Sequence, residues 1–217
     1  MSVTVGTVRD AKEWCGVNTA DEPFPLMFDV PPGREVIHQG EPYPDAWVVR
    51  RGGLLMEVID LEGHRLALDL LGPGDLVGGP ASWTAEASVR ALVTSGLFAA
   101  GPIALRDGLA RRARRASWLA CSVAWDRIAE RLAARLDDLA ARFGRPVPGG
   151  RCLELPLTQE HLAQLTGATR ESVNRALGEL AAAGRVDRAR GRYVVRPGPL
   201  RDEATPSPFG LQHRKGA

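Results

Sequence analysis

Residues 157–177 read LTQEHLAQLTGATRESVNRAL. Leu162, Ala163 and Leu165 give one short apolar face, and Val173, Ala176, Leu177 and Leu180 give a second at helical spacing. Between the two, Gly167 permits a tight turn. Thr158 is placed to cap the first helix, with Glu160 in its first turn, and Thr169 is placed to cap the second. A helix that only packed into a core would have no use for a charged first turn. Yet Arg170, Glu171, Asn174, Arg175 and Gly178 share the face opposite the apolar one, clustered toward the N-terminal end.

That clustering fits a helix that enters the DNA major groove, where N-terminal residues meet base edges. Arginine donates two hydrogen bonds to guanine O6 and N7, and glutamate accepts one from cytosine N4. The following AAAGRVDRARGRYVVRP reads as a hairpin: a strand over Arg185–Arg188, a turn around Ala189–Gly191, and a strand over Arg192–Arg196. Arg188, Arg190 and Arg192 on such a wing would lie along phosphates. Helix, turn, helix and basic wing in this order predict a module that binds double-stranded DNA.

The rest of the 217 residues agrees with that assignment. The net charge of +2 hides an asymmetry: residues 1–100 hold 7 Lys/Arg against 14 Asp/Glu, whereas residues 101–150 hold 10 against 5 and residues 151–201 hold 9 against 5. Only the basic back half is suited to a polyanion. No apolar run approaches the roughly 20 residues of a membrane span. The start, MSVTVGTVRDAKEW, has no signal-peptide pattern, so a cytoplasmic protein is expected. Cys15, Cys121 and Cys152 are too scattered for a disulfide framework or a zinc site, and three thiolates are one short of an iron–sulfur cluster. No metal and no cofactor are expected. No nucleophile–base constellation stands out either, so an enzyme is not.

From Val30 to about Phe98 short apolar runs (AWVV, LLMEVI, RLALDLL) alternate with the turn signals RGG, DLEGH and LGPGD, which predicts an antiparallel roll, barrel or sandwich. After about Pro102 the composition turns to Ala, Leu and Arg, with Leu105, Leu109, Leu119, Ile128, Leu132, Leu136 and Leu139 at mostly helical intervals. This stretch is too long for one ordinary helix and is split near residues 122–126. Its first part needs a partner to cover an apolar side, and a symmetry-related copy is the simplest one. GRPVPGGRC (144–152) reads as a linker, with Gly144 ending the helix before it.

With roll, long helix and winged helix-turn-helix in this order, residues 28–197 resemble the cyclic-AMP receptor/FNR family of bacterial transcription regulators, most strongly over the T-R-E-S-V-N-R string. The resemblance implies an α+β chain: a β-roll sensor-like domain of cyclic-nucleotide-binding (jelly-roll) type over 1–101, a dimerisation helix over 102–126 and a winged helix-turn-helix over 127–200; the Pro/Gly-rich composition of the end of the chain predicts a flexible tail over 201–217. It implies base contacts by Arg170, Glu171 and Arg175 in a near-palindromic site with TGTGA-like halves. Thr158 and Thr169 fall beside residues that support or touch the DNA backbone, with Asn174, Arg188, Arg190 and Arg192 as further contacts. The implied partners are DNA, a second copy and RNA polymerase.

The sensor half departs from the family pattern. GDLVGGP corresponds to the phosphate-binding cassette, in which Gly-Glu is followed by Arg-Ser. Here Gly78 is followed by Gly79 in place of the Glu, and Glu86–Ala87 stand where Arg–Ser are expected. An inward Glu86 would repel a phosphate, and the adenine contacts on the long helix become Arg112–Ala113. A response to cyclic AMP is therefore not expected, and activity without an effector is. A different ligand in the roll, or a redox signal through Cys15, remains a second reading. A cupin-like metalloenzyme with an accessory helical domain is a third, for which His38 and His64 lack the spacing of a metal pair. Arg111, Arg112, Arg114 and Arg115 form either an anion site near the dimer axis or a solvated face.

Overall fold

A computed structural model describes residues 27–43, 45–189, 192–196 and 198. Cys15, Arg190 and the tail 201–217 lie outside the described residues. Eight strands come first: β1 (Met27–Val30), β2 (Glu35–Ile37), β3 (Ala46–Arg51), β4 (Leu54–Ile59), β5 (Arg65–Leu71), β6 (Leu76–Gly78), β7 (Ser88–Ala91) and β8 (Ser95–Ala99). They form two antiparallel sheets, ordered β1-β8-β3-β6 and β2-β7-β4-β5. Val30, Trp47, Val49, Leu54, Met56, Val77, Val89 and Leu97 pack between the sheets as one core.

The runs LLMEVI and RLALDLL are almost continuously apolar for a physical reason. Leu54, Met56 and Leu71 point into the roll, while Leu55, Ala67 and Leu70 belong to a second core on its outer side. A sheet buried on both faces loses the alternation of a half-exposed strand. The second core is completed by α2 (Ile128–Phe143), α3 (Gln159–Thr166) and α4 (Arg170–Ala182), through Leu132, Leu136, Leu162, Leu165, Val173 and Leu180. Each such side chain contributes about 1.5–3 kcal/mol on full burial. The C-terminal unit is thereby welded to the outside of the roll.

Helix α1 (Pro102–Trp125) starts with proline at its first position, where a missing N–H costs nothing. It ends where Asp126 turns extended, and α2 restarts with the Arg127 N–H donating to Glu130 Oε2 at 3.1 Å. Only Gly108, Leu119 and Ser122 of α1 are buried, whereas Ile103 and Trp125 are 69% and 58% exposed. One face rests on the roll and the other is open.

The segment 144–152 corrects the expected linker. It forms most of an antiparallel hairpin, β9 (Gly144–Val147) and β10 (Gly150–Leu153), within a sheet ordered β11-β12-β10-β9, where β11 is Val186–Ala189 and β12 is Arg192–Val195. The Pro and Gly residues that imitate a linker occupy an edge strand and its turn, where a missing ladder donor is tolerated. Gly144 does end α2, with φ −84° rather than a left-handed conformation. No helix among the described residues is long and apolar enough to cross a membrane.

Candidate nucleic-acid interface

The helix-turn-helix is fixed by its caps and its turn. Thr158 Oγ1 accepts from the His161 N–H at 3.1 Å, and His161 Nδ1 accepts from the Thr158 N–H at 3.3 Å, a reciprocal capping box. Thr169 Oγ1 accepts from the Ser172 N–H at 3.2 Å at the start of α4. Gly167 sits at φ 58°, ψ 45°, the left-handed conformation that glycine enters without a Cβ penalty. Leu162, Ala163, Leu165, Val173, Ala176, Leu177 and Leu180 are all buried, so both apolar faces expected from the sequence are present.

The opposite face of α4 is open. Arg170, Glu171, Asn174, Arg175 and Gly178 are exposed, and Arg170, Glu171 and Arg175 have no hydrogen-bond or ion-pair partner among the described residues. Three charged side chains left unpaired in solvent at one helix end add little to stability. They are free for an external partner.

The wing is a paired hairpin with Arg188 opposite Tyr193. Arg188 lies 6.0 Å from the Tyr193 ring centre and is exposed, as is Arg192, 3.8 Å from Glu154. Arg185 precedes the strand rather than belonging to it. Its buried guanidinium donates to Asp137 at 2.8 and 3.1 Å and to the Arg196 carbonyl at 2.9 Å, tying the wing to α2. Burial pushes the Asp137 carboxyl up from its ordinary value against the opposing pull of Arg185.

Several residues of the expected effector pocket are engaged within the chain itself. Gly79 lies against the Tyr43 ring, where a side chain would collide. Arg112 reaches back from α1 and donates to the Leu76 and Gly78 carbonyls at 3.1 and 2.9 Å. The expected inward Glu86 is corrected: Glu86 is exposed in the bend before β7, and the small apolar Ala85 and Ala87 on either side of it are the buried residues. Ala113 is exposed on α1.

Three arginines of the α1 run, Arg111, Arg112 and Arg115, are engaged by groups of the same chain. Arg111 donates to the Gly74 carbonyl at 2.8 Å, and Arg115 spans the buried carboxylates of Asp69 and Asp75, at 2.8 Å each. Arg114 alone of the four is exposed. From the end of α2, Arg142 meets the same two carboxylates at 3.3 and 2.9 Å, Asp138 at 2.8 Å, and the Leu70 carbonyl. Burial opposes the charge on Arg115 and Arg142, but the carboxylates outweigh it and hold both guanidinium groups above their usual value. Beside Arg142, Phe143 fills a slot over Gly72, where a Cβ would overlap its ring. The sequence held a signal for this junction: two aspartates inside an otherwise apolar run, RLALDLLGPGD, require buried partners.

The remaining candidates are surface or core groups. His64 pairs with Asp60 at 2.9 Å on an exposed turn, and His38 with Glu35 at 3.1 Å. The His64 hydrogen bond holds the Asp60 carboxyl below its ordinary value. Cys121 is half-buried on α1, and Cys152 is buried in β10.

A capped helix-turn-helix with a hairpin wing, appended to a two-sheet β-roll through a long helix, defines a DNA-binding regulator architecture. Residues 130–202 match the Crp-like helix-turn-helix domain. The chain is 32% identical to the regulatory protein CysR of Synechococcus elongatus, over 77% of this chain and 79% of that one. It is 32% identical to the CRP-like cAMP-activated global transcriptional regulator of Mycobacterium tuberculosis, over 77% and 82%. The crystal structure of a CRP/FNR-family transcriptional regulator from Thermus thermophilus superposes with a TM-score of 0.69 at 25% identity, covering 79% of this chain and 94% of that one. The chain belongs to the CRP/FNR family of transcriptional regulators.

Proposed function

We propose that this regulator acts as a homodimer, placing the α4 helix of each subunit in successive major grooves of a near-palindromic site with TGTGA-like halves. The observation that carries the reading is the exposed, unpartnered set Arg170, Glu171 and Arg175 at the start of α4. Arg170 and Arg175 offer paired donors to guanine, and Glu171 accepts from cytosine. Thr158, Thr169 and Asn174 line the approach to the backbone, and Arg188, Arg190 and Arg192 of the wing supply salt-dependent phosphate contacts. The open face of α1, with Ile103, Trp118 and Trp125 exposed, is covered by the second subunit. In this reading residues 1–101 are the sensor-like domain, 102–126 the dimerisation helix and 127–200 the DNA-binding domain. The protein works in the cytoplasm with RNA polymerase as its partner and performs no catalysis.

We infer further that it needs no cyclic nucleotide. The Mycobacterium relative is named as cAMP-activated. In this chain the corresponding end of the roll offers Gly79, Ala85 and Ala87, and Arg112 is spent on the chain's own carbonyls. A nucleotide phosphate requires a free cation and several donors. The Asp69–Asp75–Arg115–Arg142 junction supports a fixed orientation of the DNA-binding unit without a ligand. One feature favours the alternative of a different ligand, an open cleft of about 480 Å3 between Pro73 and Val93 of the roll and Phe143 and Leu155 of the C-terminal unit. Heat-stability shifts across a metabolite panel separate the two readings.

The direct test is fluorescence anisotropy of effector-free protein on a duplex with inverted TGTGA half-sites against a scrambled duplex. Tight, selective binding is expected. Equal weak binding to both would contradict the reading.

A further inference from the structure

Two arginines of α2 are buried without a counter-ion. Arg131 and Arg135, one helical turn apart, are 7% and 3% exposed, and among the described residues no carboxylate lies within 4.0 Å of either guanidinium. Arg131 Nη1 reaches the Val123 carbonyl at 3.5 Å, and Arg135 Nε donates to the Leu165 carbonyl at 3.2 Å. The Arg135 guanidinium also lies 4.6 Å from the centre of the Trp118 ring. Buried donors are left over: Arg131 Nε, Arg135 Nη2 and the Ser122 hydroxyl have no hydrogen-bond partner among the described residues. The contacts to Val123 and Trp118 put both guanidinium groups against the last turns of α1, the stretch that carries Ser122.

The surroundings do not neutralise this charge. Asp69 and Asp138 draw on Arg135 from a distance, but Asp69 is paired with Arg115 and Arg142, and Asp138 with Arg142. Burial, reinforced by the Arg142 and Arg115 charges, pushes the Arg135 guanidinium down from its ordinary value. Arginine cannot answer by shedding its proton, and an unpaired buried charge is strongly destabilising. A water would satisfy a donor and leave the charge, whereas an anion accepts from several donors and cancels it. The Gln164 amide, next to Leu165, is buried with one end unpartnered, and a half-turn presents its NH2 as readily as its oxygen. Donors enclosed this deeply suit a halide-sized ion rather than a nucleotide.

We propose that Arg131, Arg135 and Ser122 form a buried site for one small monovalent anion of the chloride class, held between α1 and α2. Because Arg135 also holds the C-terminal end of α3 through the Leu165 carbonyl, the ion braces the long helix against the helix-turn-helix. The site shares no residue with the expected effector pocket and does not depend on how α4 reads DNA.

Thermal unfolding of the full-length protein tests it, with sodium gluconate exchanged stepwise for sodium chloride at constant ionic strength. The wild-type melting temperature should rise by about 2–4 °C along a saturable curve. Arg131→Met and Arg135→Met should lose this response. Ser122→Ala, the mildest change, should need about tenfold more chloride for the same gain, the scale of a lost hydrogen bond to a charged group. The excess chloride NMR linewidth, which reports binding apart from stability, should drop in the two arginine variants. It should persist in Arg170→Ala, which removes an exposed arginine. Should both arginine variants fail to fold, the Ser122→Ala titration decides alone. A flat wild-type curve overturns the site, and so does a chloride response that the folded variants reproduce unchanged.

Discussion

The arginines of this protein live in two different environments. At the seam between roll, α1 and α2, Arg112, Arg115 and Arg142 are saturated by carbonyls and buried carboxylates of the same chain. On the open face of α4, Arg170 and Arg175 have no partner among the described residues. The first set uses its donors to hold units together, and the second keeps them for something outside. A similar side-chain chemistry therefore does structural work at one end of the molecule and is free for recognition at the other. At the roll, guanidinium donors of a kind that could meet a phosphate are engaged internally.

Substitutions at the two places should separate cleanly. Arg142→Ala leaves Asp69 and Asp75 with Arg115 as their ion partner, and should lower the unfolding free energy by about 3–5 kcal/mol in urea titrations. Arg175→Ala should leave that free energy within about 0.5 kcal/mol of wild type. It should instead cost about 1–3 kcal/mol on the preferred DNA site and relax specificity at one position. If Arg175→Ala destabilised the fold as much as Arg142→Ala, the distinction between the two environments would collapse. Smaller again is the cap of α4: Thr169→Ala removes the acceptor for the Ser172 N–H and should cost about 1 kcal/mol, read by thermal unfolding.

A pH effect sharpens the comparison from the structural side. Burial, together with the nearby Arg90, lowers the His161 pKa below its ordinary 6.5, against opposing contributions from Glu57 and Glu160. The folded state thus favours the neutral ring, which accepts the Thr158 N–H through Nδ1. Its contribution is complete above about pH 6.5 and fades as pH falls below that toward the lowered folded value. His161→Gln keeps an acceptor for the capping box but cannot titrate. Its melting temperature should therefore decline less than that of wild type between about pH 6.5 and 5. Parallel profiles would remove His161 from the account.

Much of this architecture is legible in the sequence because its signals are local. Thr158, Gly167 and Thr169 mark helix ends within a few residues, and Val173, Ala176, Leu177 and Leu180 repeat at the helical period. The strands are legible from apolar runs between turns. What escapes depends on contacts between distant segments. Tyr43 over Gly79, and Arg142 with Asp69 some 73 residues away, follow from tertiary packing that no short window contains. GRPVPGG reads as a linker because an edge hairpin and a linker share the same Pro and Gly composition. Glu86 reads as inward because the bend before β7 that turns it outward is not marked by any local pattern in the sequence.

The central claim is that recognition is available without a cyclic nucleotide. It is tested most directly by titrating one operator duplex with purified protein in the absence and presence of saturating cyclic AMP, at constant salt. Superimposable, tight and sequence-selective curves are predicted. An increase in operator affinity of about tenfold or more on adding cyclic AMP, equivalent to about 1.4 kcal/mol of coupling, would contradict it.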